Sequence, residues 1–254
     1  MIAILKMSIN REIITVEKCG VIHKFVKCPE NSNWLDPWLQ NTFANWEKDT
    51  FQDFSKCLST LDINERVALD IGGWIGTTCI WLAHHFAKVH VVEADPVSVS
   101  QLRSNIEASG CADKVVVWPR PATLKEENLW FGPHATDAFG GKGLNTSMSQ
   151  VKSTSNSNFD ILIRSVSLDA LIEACGTGLL LIKMDIEGGE ENMVEPLLRI
   201  ARERQLCVHL SFHVDWWQNK DLSRFKDVFG DEYDILVTKI TANPFASYFF
   251  DYRR

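Results

Sequence analysis

Val67-Ala68-Leu69-Asp70-Ile71-Gly72-Gly73-Trp74-Ile75-Gly76 is a short apolar run that ends in glycines, and Thr77 to Ala87 after it reads as a helix. Glycines at such a handover let the backbone turn tightly and let a ligand lie against it without meeting a Cβ. The texture then repeats: Val89-His90-Val91-Val92-Glu93, a helical Val97 to Ser109, and Val115-Val116-Val117-Trp118. Strand, helix, strand, helix, strand is the pattern of a parallel sheet with crossover helices. It resumes at Leu179-Leu180-Leu181-Ile182-Lys183-Met184, with a helix over Glu190–Gln205 and a strand over Cys207–Phe212. Tyr233–Thr238 and Ser247–Tyr252 read as a closing antiparallel hairpin. The expected fold class is α/β, a doubly wound, Rossmann-like sheet.

Upstream, Ile13-Ile14-Thr15-Val16 and Val21-Ile22-His23-Lys24-Phe25-Val26 flank Cys19-Gly20 and predict a β-hairpin. Trp38, Phe43, Trp46, Phe51, Phe54 and Leu58 follow at mostly helical spacing. Residues 1–62 are therefore expected to form a small N-terminal hairpin and helical cap, and residues 63–254 the main domain. Residues 132–158, rich in Gly, Ser, Thr and Asn with no apolar period, predict a long loop of the kind that is either disordered or a functional lid.

Composition narrows the setting. The 254 residues are 45% hydrophobic, enough for a substantial core, and 33 acidic against 26 basic side chains give a formal charge of −7. An acidic surface carries no general attraction for phosphate backbones, so no nucleic-acid partner is expected. No window offers the roughly 18 apolar residues of a membrane span. Seven scattered cysteines without a Cys-x-x-Cys pair point to a reducing, cytoplasmic setting with neither disulfides nor a zinc knuckle.

Two cofactor classes compete for the glycine turn. A dinucleotide site needs Gly-x-Gly-x-x-Gly, and aligning Gly73 and Gly76 with its last two glycines places Ile71 where the first should be. Asp70, immediately before the turn, is a poor neighbour for a pyrophosphate and a good one for an ammonium group. S-adenosylmethionine carries an ammonium and a sulfonium and no phosphate, so charge favours it over NAD. Glu93 ends the second strand, about 20 residues on, where an acidic side chain accepts both ribose hydroxyls of either cofactor. Asp70, Gly72, Gly73, Trp74 and Glu93 are thus cofactor-binding candidates.

Val67–Gly76, Val91-Val92-Glu93-Ala94-Asp95-Pro96 and, above all, Ile182-Lys183-Met184-Asp185-Ile186-Glu187-Gly188-Gly189-Glu190 resemble the FkbM family of S-adenosylmethionine-dependent methyltransferases. Weaker similarity lies in Trp46-Glu47, Thr50-Phe51 and Val166-Ser167-Leu168-Asp169-Ala170-Leu171, so the resemblance runs from Trp46 to His213. It implies a class I methyltransferase sheet of seven strands, O-methylation of a sugar, glycan or other small-molecule hydroxyl, and a place for Thr50, Ala94 and Asp185 beside the cofactor. An NAD-dependent oxidoreductase and a non-catalytic nucleoside-binding pseudo-methyltransferase are the alternatives.

Asp185 and Glu187 close a strongly apolar strand two residues apart and project to one side of an extended chain, with Lys183. An ion pair with Lys183 and helix capping by Glu190 is the purely structural alternative. Holding an acceptor oxygen in line with the methyl supplies roughly 7–11 kcal/mol of the barrier, and proton removal contributes about 10²–10⁴ in rate. His213, just past the strand Cys207–Phe212, is the first choice of base, oriented by Asp185 or Glu187. His209 faces the opposite side or the core, and His84 and His85 read as packing or surface residues. Asp185, Glu187, His213 and Asp215 could instead bind a divalent metal such as Mg²⁺, Ca²⁺ or Mn²⁺, though metal-free base catalysis is preferred. Of nine tryptophans, Trp216 and Trp217 are assigned to an acceptor pocket. Asn243-Pro244-Phe245 is read as a turn, lying too far from the fourth strand to be an amino-methylating DNA motif.

Overall fold

The strand–helix alternation expected from Val67 onward is present in the computed structural model, which describes residues 12–28, 33–58, 65–133, 149–155, 158 and 160–253. The chain opens with strands β1 (Ile13–Lys18) and β2 (Val21–Val26), then helices α1 (Leu35–Asn41) and α2 (Lys48–Leu58). The alternation follows as β3 (Val67–Ile71), α3 (Cys79–His85), β4 (Lys88–Val92), α4 (Pro96–Ala108) and β5 (Val115–Trp118). Short strands come next: β6 (Ala122–Thr123), β7 (Asn128–Pro133), β8 (Ser149–Lys152), β9 (Ile161–Arg164) and β10 (Val166–Ser167). The chain ends with α5 (Leu168–Cys175), β11 (Leu179–Met184), α6 (Val194–Arg204), β12 (Cys207–Ser211), α7 (Lys226–Phe229), α8 (Tyr233–Ala242) and β13 (Ser247–Asp251).

The main sheet runs β13-β12-β11-β3-β4-β5, parallel except for the antiparallel edge strand β13. Both faces are buried because alternate residues serve different cores. Leu69, Ile71, Ile182, Met184, Val208 and Leu210 pack against α5, α6 and α8, whereas Ala68, Leu181 and Cys207 pack against α2, α3 and the hairpin. This is the doubly wound α/β arrangement. From β3 the chain steps outward to β4 and β5, then returns to the other side of β3 with β11. The switch point between β3 and β11 is where such sheets leave a crevice at their carboxyl ends.

The hairpin forms as read. Cys19 (φ 48°) and Gly20 (φ 80°) supply the two left-handed residues of a tight turn, and β1 and β2 alternate exposed and buried positions. Buried Asn105 of α4 ties this hairpin to the sheet, accepting from the Val26 amide (2.8 Å) and donating to the Ile75 carbonyl (2.8 Å). Asp95 caps α4 by accepting from the Val97 and Ser98 amides, with Pro96 in the first turn.

Two expectations change. Tyr233–Thr238 is not a strand but the start of α8, so the main sheet has six strands among the described residues and β13 pairs with β12 instead of closing a terminal hairpin. Leu236 and Ile240, four residues apart, bury one helical face in the core while Ile235 stays exposed, and that 3.6-residue period outweighs the β-branched composition. Within the segment read as a long loop, β8 pairs with β7, and β9 on the far side of β7 completes a small antiparallel sheet, pinned by a buried Lys152–Asp160 ion pair (2.8 Å). The centre of the expected lid, residues 134–148, lies outside the described residues. Among the described residues, no helix is long and apolar enough to cross a membrane.

His23 is fully buried between Phe25 and Phe43, and burial pushes its imidazole down to about 4. The unfolded chain takes up this proton near pH 6.5 while the folded chain refuses it. Stability from this residue is complete above pH 6.5 and is lost at about 1.4 kcal/mol per unit as the pH falls toward 4. His23→Phe is expected to flatten that part of the stability–pH curve in urea titrations, and an unchanged slope would count against it.

Candidate active site

Beyond β3 the chain bends through Gly72 (φ 87°), and a Cβ there would sit 1.7 Å from the Asp185 carbonyl oxygen. Only glycine permits that approach of the two strand ends, which the Asp185 amide seals by donating to the Ile71 carbonyl (2.9 Å). The bend uses most of its own amides. Gly72 and Gly73 donate to the Val92 carbonyl, Gly76 donates to Gly73, and Trp74 (φ 44°) donates to the Glu93 carboxylate (2.7 Å). The other Glu93 oxygen accepts from the Asp95 amide (2.8 Å). Both oxygens are thereby fixed in place, each keeping a lone pair for a further donor. Burial pushes the Glu93 carboxyl up to about 7, with these amides opposing.

Next to the bend lies a cavity of about 550 Å³, within the size range of small-molecule sites. Gly72, Trp74, Glu93 and Ala94 form one side of it, and Asp185, Glu187 and His213 another. Asp70, Gly73 and Thr50 of the expected set stand behind this lining, all three buried. Asp70 is fully buried and faces Lys183 across the strand register, its Oδ1 3.4 Å from the ammonium. Its charge thus meets a cation within the protein, while burial pushes its carboxyl up. Lys183 also donates to the Gly72 carbonyl (2.9 Å) and stands 3.7 Å from Asp185 Oδ2.

The acids after β11 are shaped by a second bend. Glu187 (φ 54°) and Gly188 (φ 91°) both take left-handed conformations, turning the chain so that Glu190 points back beneath them. Glu190 is completely buried, yet its carboxylate collects four donors: the amides of Gly188 (2.8 Å) and His213 (2.7 Å), His213 Nδ1 (2.9 Å) and Trp217 Nε1 (3.2 Å). It is thus more than the helix cap weighed above; the glycine pair before it and its place at the end of the Ile182–Glu190 motif were its signals in the sequence. With Nδ1 committed, His213 aims Nε2 at Glu187 Oε2 (3.4 Å) and Asp185 Oδ1 (3.6 Å). Burial opposes charging of this imidazole, but the Glu190 hydrogen bond and the Asp185 and Glu187 charges win and push it up to about 9. Burial likewise pushes the Glu187 carboxyl up, to about 8, so this pair holds protons more tightly than a free imidazole and a free carboxylate do. Against burial, Lys183 and His213 hold the Asp185 carboxyl below its usual range.

The donor atoms of Asp185, Glu187 and His213 lie within 4.8 Å of one another, a set able to hold a metal ion. Asp215 is apart from them, exposed and paired with Lys220 (3.4 Å). His209 is buried in the core against Phe54, as one of the two expected placements had it.

The aromatic wall differs from expectation. Trp217 is core, packed on Phe212 and Phe225, while the Trp216 ring stacks on His213 at 5.2 Å. The cavity takes its indoles from the N-terminal cap and the glycine bend instead: Trp34, Trp38, Trp46 and Trp74. Trp34 stacks parallel on Trp74 (6.2 Å), and Trp38 meets both Trp46 and Trp74 edge-on (5.5 Å each). The buried Lys18 ammonium binds the carbonyls of Phe43 and Trp46, holding the bend that brings Glu47 to the cavity. Asn243-Pro244-Phe245 forms the expected turn, closed by the Asn243 side chain on the Phe245 amide (3.0 Å), and Phe245 also lines the cavity.

Glu190→Gln removes the charge that four donors share. His213 is expected to titrate well below 9, read by NMR of its ring protons, with stability reduced on the order of 3 kcal/mol. An unmoved His213 titration would show that Glu190 does not set its charge. Gly72→Ala is expected to yield a protein that melts several degrees lower and binds ligand poorly, because both the φ of 87° and the 1.7 Å approach exclude a Cβ.

No protein-family model matches the sequence, and no curated protein matches it. Among solved structures, the chain is similar to the methyltransferase FkbM from Methylobacillus flagellatus KT, at 15% identity and a TM-score of 0.45 over 77% of this chain. This chain covers 46% of that one, so it spans less than half of its length. It is also similar to precorrin-6y C5,15-methyltransferase from Geobacter metallireducens GS-15, at 14% identity and a TM-score of 0.39, covering 75% of this chain and 73% of that one. An RNA methyltransferase from Salinibacter ruber in complex with S-adenosyl-L-homocysteine follows at 16% identity and a TM-score of 0.33, covering 62% and 72%.

Proposed function

We propose that this protein is an S-adenosylmethionine-dependent methyltransferase that methylates a hydroxyl of a sugar, a glycan or another small molecule. The observation that carries the cofactor is the Glu93 carboxylate, presented to the cavity at the end of β4 with both oxygens held by backbone amides. Vicinal ribose hydroxyls are the donors such a pair of oxygens suits. The spent amides of the bend support a nucleoside without a diphosphate. A diphosphate lying on the glycine bend needs its amides free, whereas Gly72, Gly73, Trp74 and Gly76 have already donated theirs.

The acceptor reading rests on the opposite walls. Flat indole faces suit the apolar face of a sugar ring, and carboxylates nearby suit its hydroxyls. In the reaction, a hydroxyl oxygen lone pair forms the new O–C bond while the methyl–sulfur bond breaks and leaves its pair on sulfur. The hydroxyl proton passes to the His213–Glu187 pair. The proton His213 already holds would first leave to solvent, freeing Nε2 to take the one from the hydroxyl. The net charge of −7 favours an acceptor without a phosphate backbone.

Calorimetry with S-adenosylmethionine, S-adenosylhomocysteine and NADH tests the cofactor. The first two are expected to bind and the third not, and Glu93→Ala should weaken binding by roughly ten- to a hundredfold, the worth of one or two charged hydrogen bonds. Binding of NADH alone, or full affinity in the variant, refutes the assignment. Mass spectrometry of candidate glycans is expected to show the gain of one methyl group.

A further inference from the structure

We propose that Asp185, Glu187 and His213 form a site for one divalent transition cation, with a coordination position open to the cavity where the acceptor's hydroxyl binds. The part played by the hydroxyl rests on the methyl-transfer reading; the cation site itself does not. Asp185 and Glu187 follow β11 and His213 follows β12, so neighbouring strands bring the three donors to one edge of the sheet. His213 Nε2 stands 3.4 Å from Glu187 Oε2 and 3.6 Å from Asp185 Oδ1. A tetrahedral centre with bonds of about 2.1 Å has donor–donor edges of about 3.4 Å. An imidazole donor favours Zn²⁺ over Mg²⁺ or Ca²⁺, and Mn²⁺, which admits a histidine among oxygen donors, is its paramagnetic stand-in.

A second observation is the burial and fixed direction of His213. It is only 8% exposed, and its Nε2 is paired with the Glu187 and Asp185 carboxylates, so a bound cation takes the place of the proton these groups share. Glu190 takes Nδ1 and is itself locked by Gly188 and Trp217. A buried carboxylate on one ring nitrogen, with the other nitrogen facing further carboxylates, is the arrangement that orients metal-binding histidines. Asp185 is divided likewise: Oδ2 faces Lys183, leaving Oδ1 toward His213. Asp70 offsets the charge of Lys183, so three carboxylates surround a single imidazole. A bound cation would act as a Lewis acid, making a coordinated hydroxyl more acidic. Its oxygen then takes the methyl as the carbon–sulfur pair stays on sulfur, its proton goes to water in the open cavity, and His213 serves as ligand instead of base.

The test uses tag-free protein titrated with Mn²⁺ alone, followed by the spin resonance of free Mn²⁺ and by NMR of histidine ring protons. One equivalent is expected to bind, broadening the His213 signals while those of His23 stay sharp, and Zn²⁺ is expected to displace it. Asp185→Asn and Glu187→Gln should each weaken binding at least tenfold with unchanged far-ultraviolet circular dichroism. No binding below millimolar Mn²⁺, or broadening that spares His213, overturns the site even if a variant misfolds, because both are read on the unaltered protein. Calorimetry with S-adenosylmethionine in EDTA runs alongside. Cofactor binding without Mn²⁺ binding removes the cation and leaves the function; Mn²⁺ binding at His213 without cofactor binding does the reverse.

Discussion

The buried ammonium of Lys183 holds the switch point of this sheet together. It sits on the strand next to Asp70, donates to the Gly72 carbonyl, and reaches toward Asp185 on its own strand end. Charges so deeply placed are tolerated only when paired. Asp70, Lys183 and His209 lie in register on three adjacent strands, forming a polar rung through an otherwise apolar face. The glycine bend and the acidic bend both hang from this rung. Their approach across Gly72 leaves no room for adjustment, so one ion pair and one missing Cβ fix the floor of the cavity.

Glu190 extends this logic toward solvent. A carboxylate with no exposure would be costly on its own, yet four N–H donors surround it and tie α6's leading turn, the end of β12 and Trp217 into one unit. The consequence reaches His213, whose tautomer and direction follow from Glu190 and whose charge follows from the whole group of acids. Asp185 and His213 are thus each held by a buried group behind them, Lys183 and Glu190 respectively. Glu93 has its own supports in the amides of Trp74 and Asp95, at the other end of the cavity.

The first half of the doubly wound core was readable because its chemistry is local. Val67–Ile71 and Lys88–Val92 are apolar enough to be buried on two faces, and the glycines after β3 mark a bend that few other residues allow. Glu93, Asp185, Glu187 and His213 could be placed at one edge of the sheet because each ends or closely follows a strand. Legibility failed where a segment's role depends on distant partners. Tyr233–Thr238 carries strand-like residues, but the core offers a groove for Leu236 and Ile240 one helical turn apart. Trp216 and Trp217 adjoin His213 in sequence, yet one is consumed by the core and the indoles at the cavity arrive from the cap and the glycine bend, more than a hundred residues away.

The sequence by itself determined the parallel α/β class, the crevice side of the sheet, and the acids and histidine that gather there, since alternation, glycine placement and strand ends are properties of neighbouring residues. Tertiary structure alone decided the charges those groups carry. Asp70 faces Lys183, Glu190 became the partner of His213, and the acids around His213 raise its affinity for a proton. The reason is physical: proton affinity is set by burial and by charges within a few ångströms, and neither is fixed until β3, β11 and β12 lie side by side.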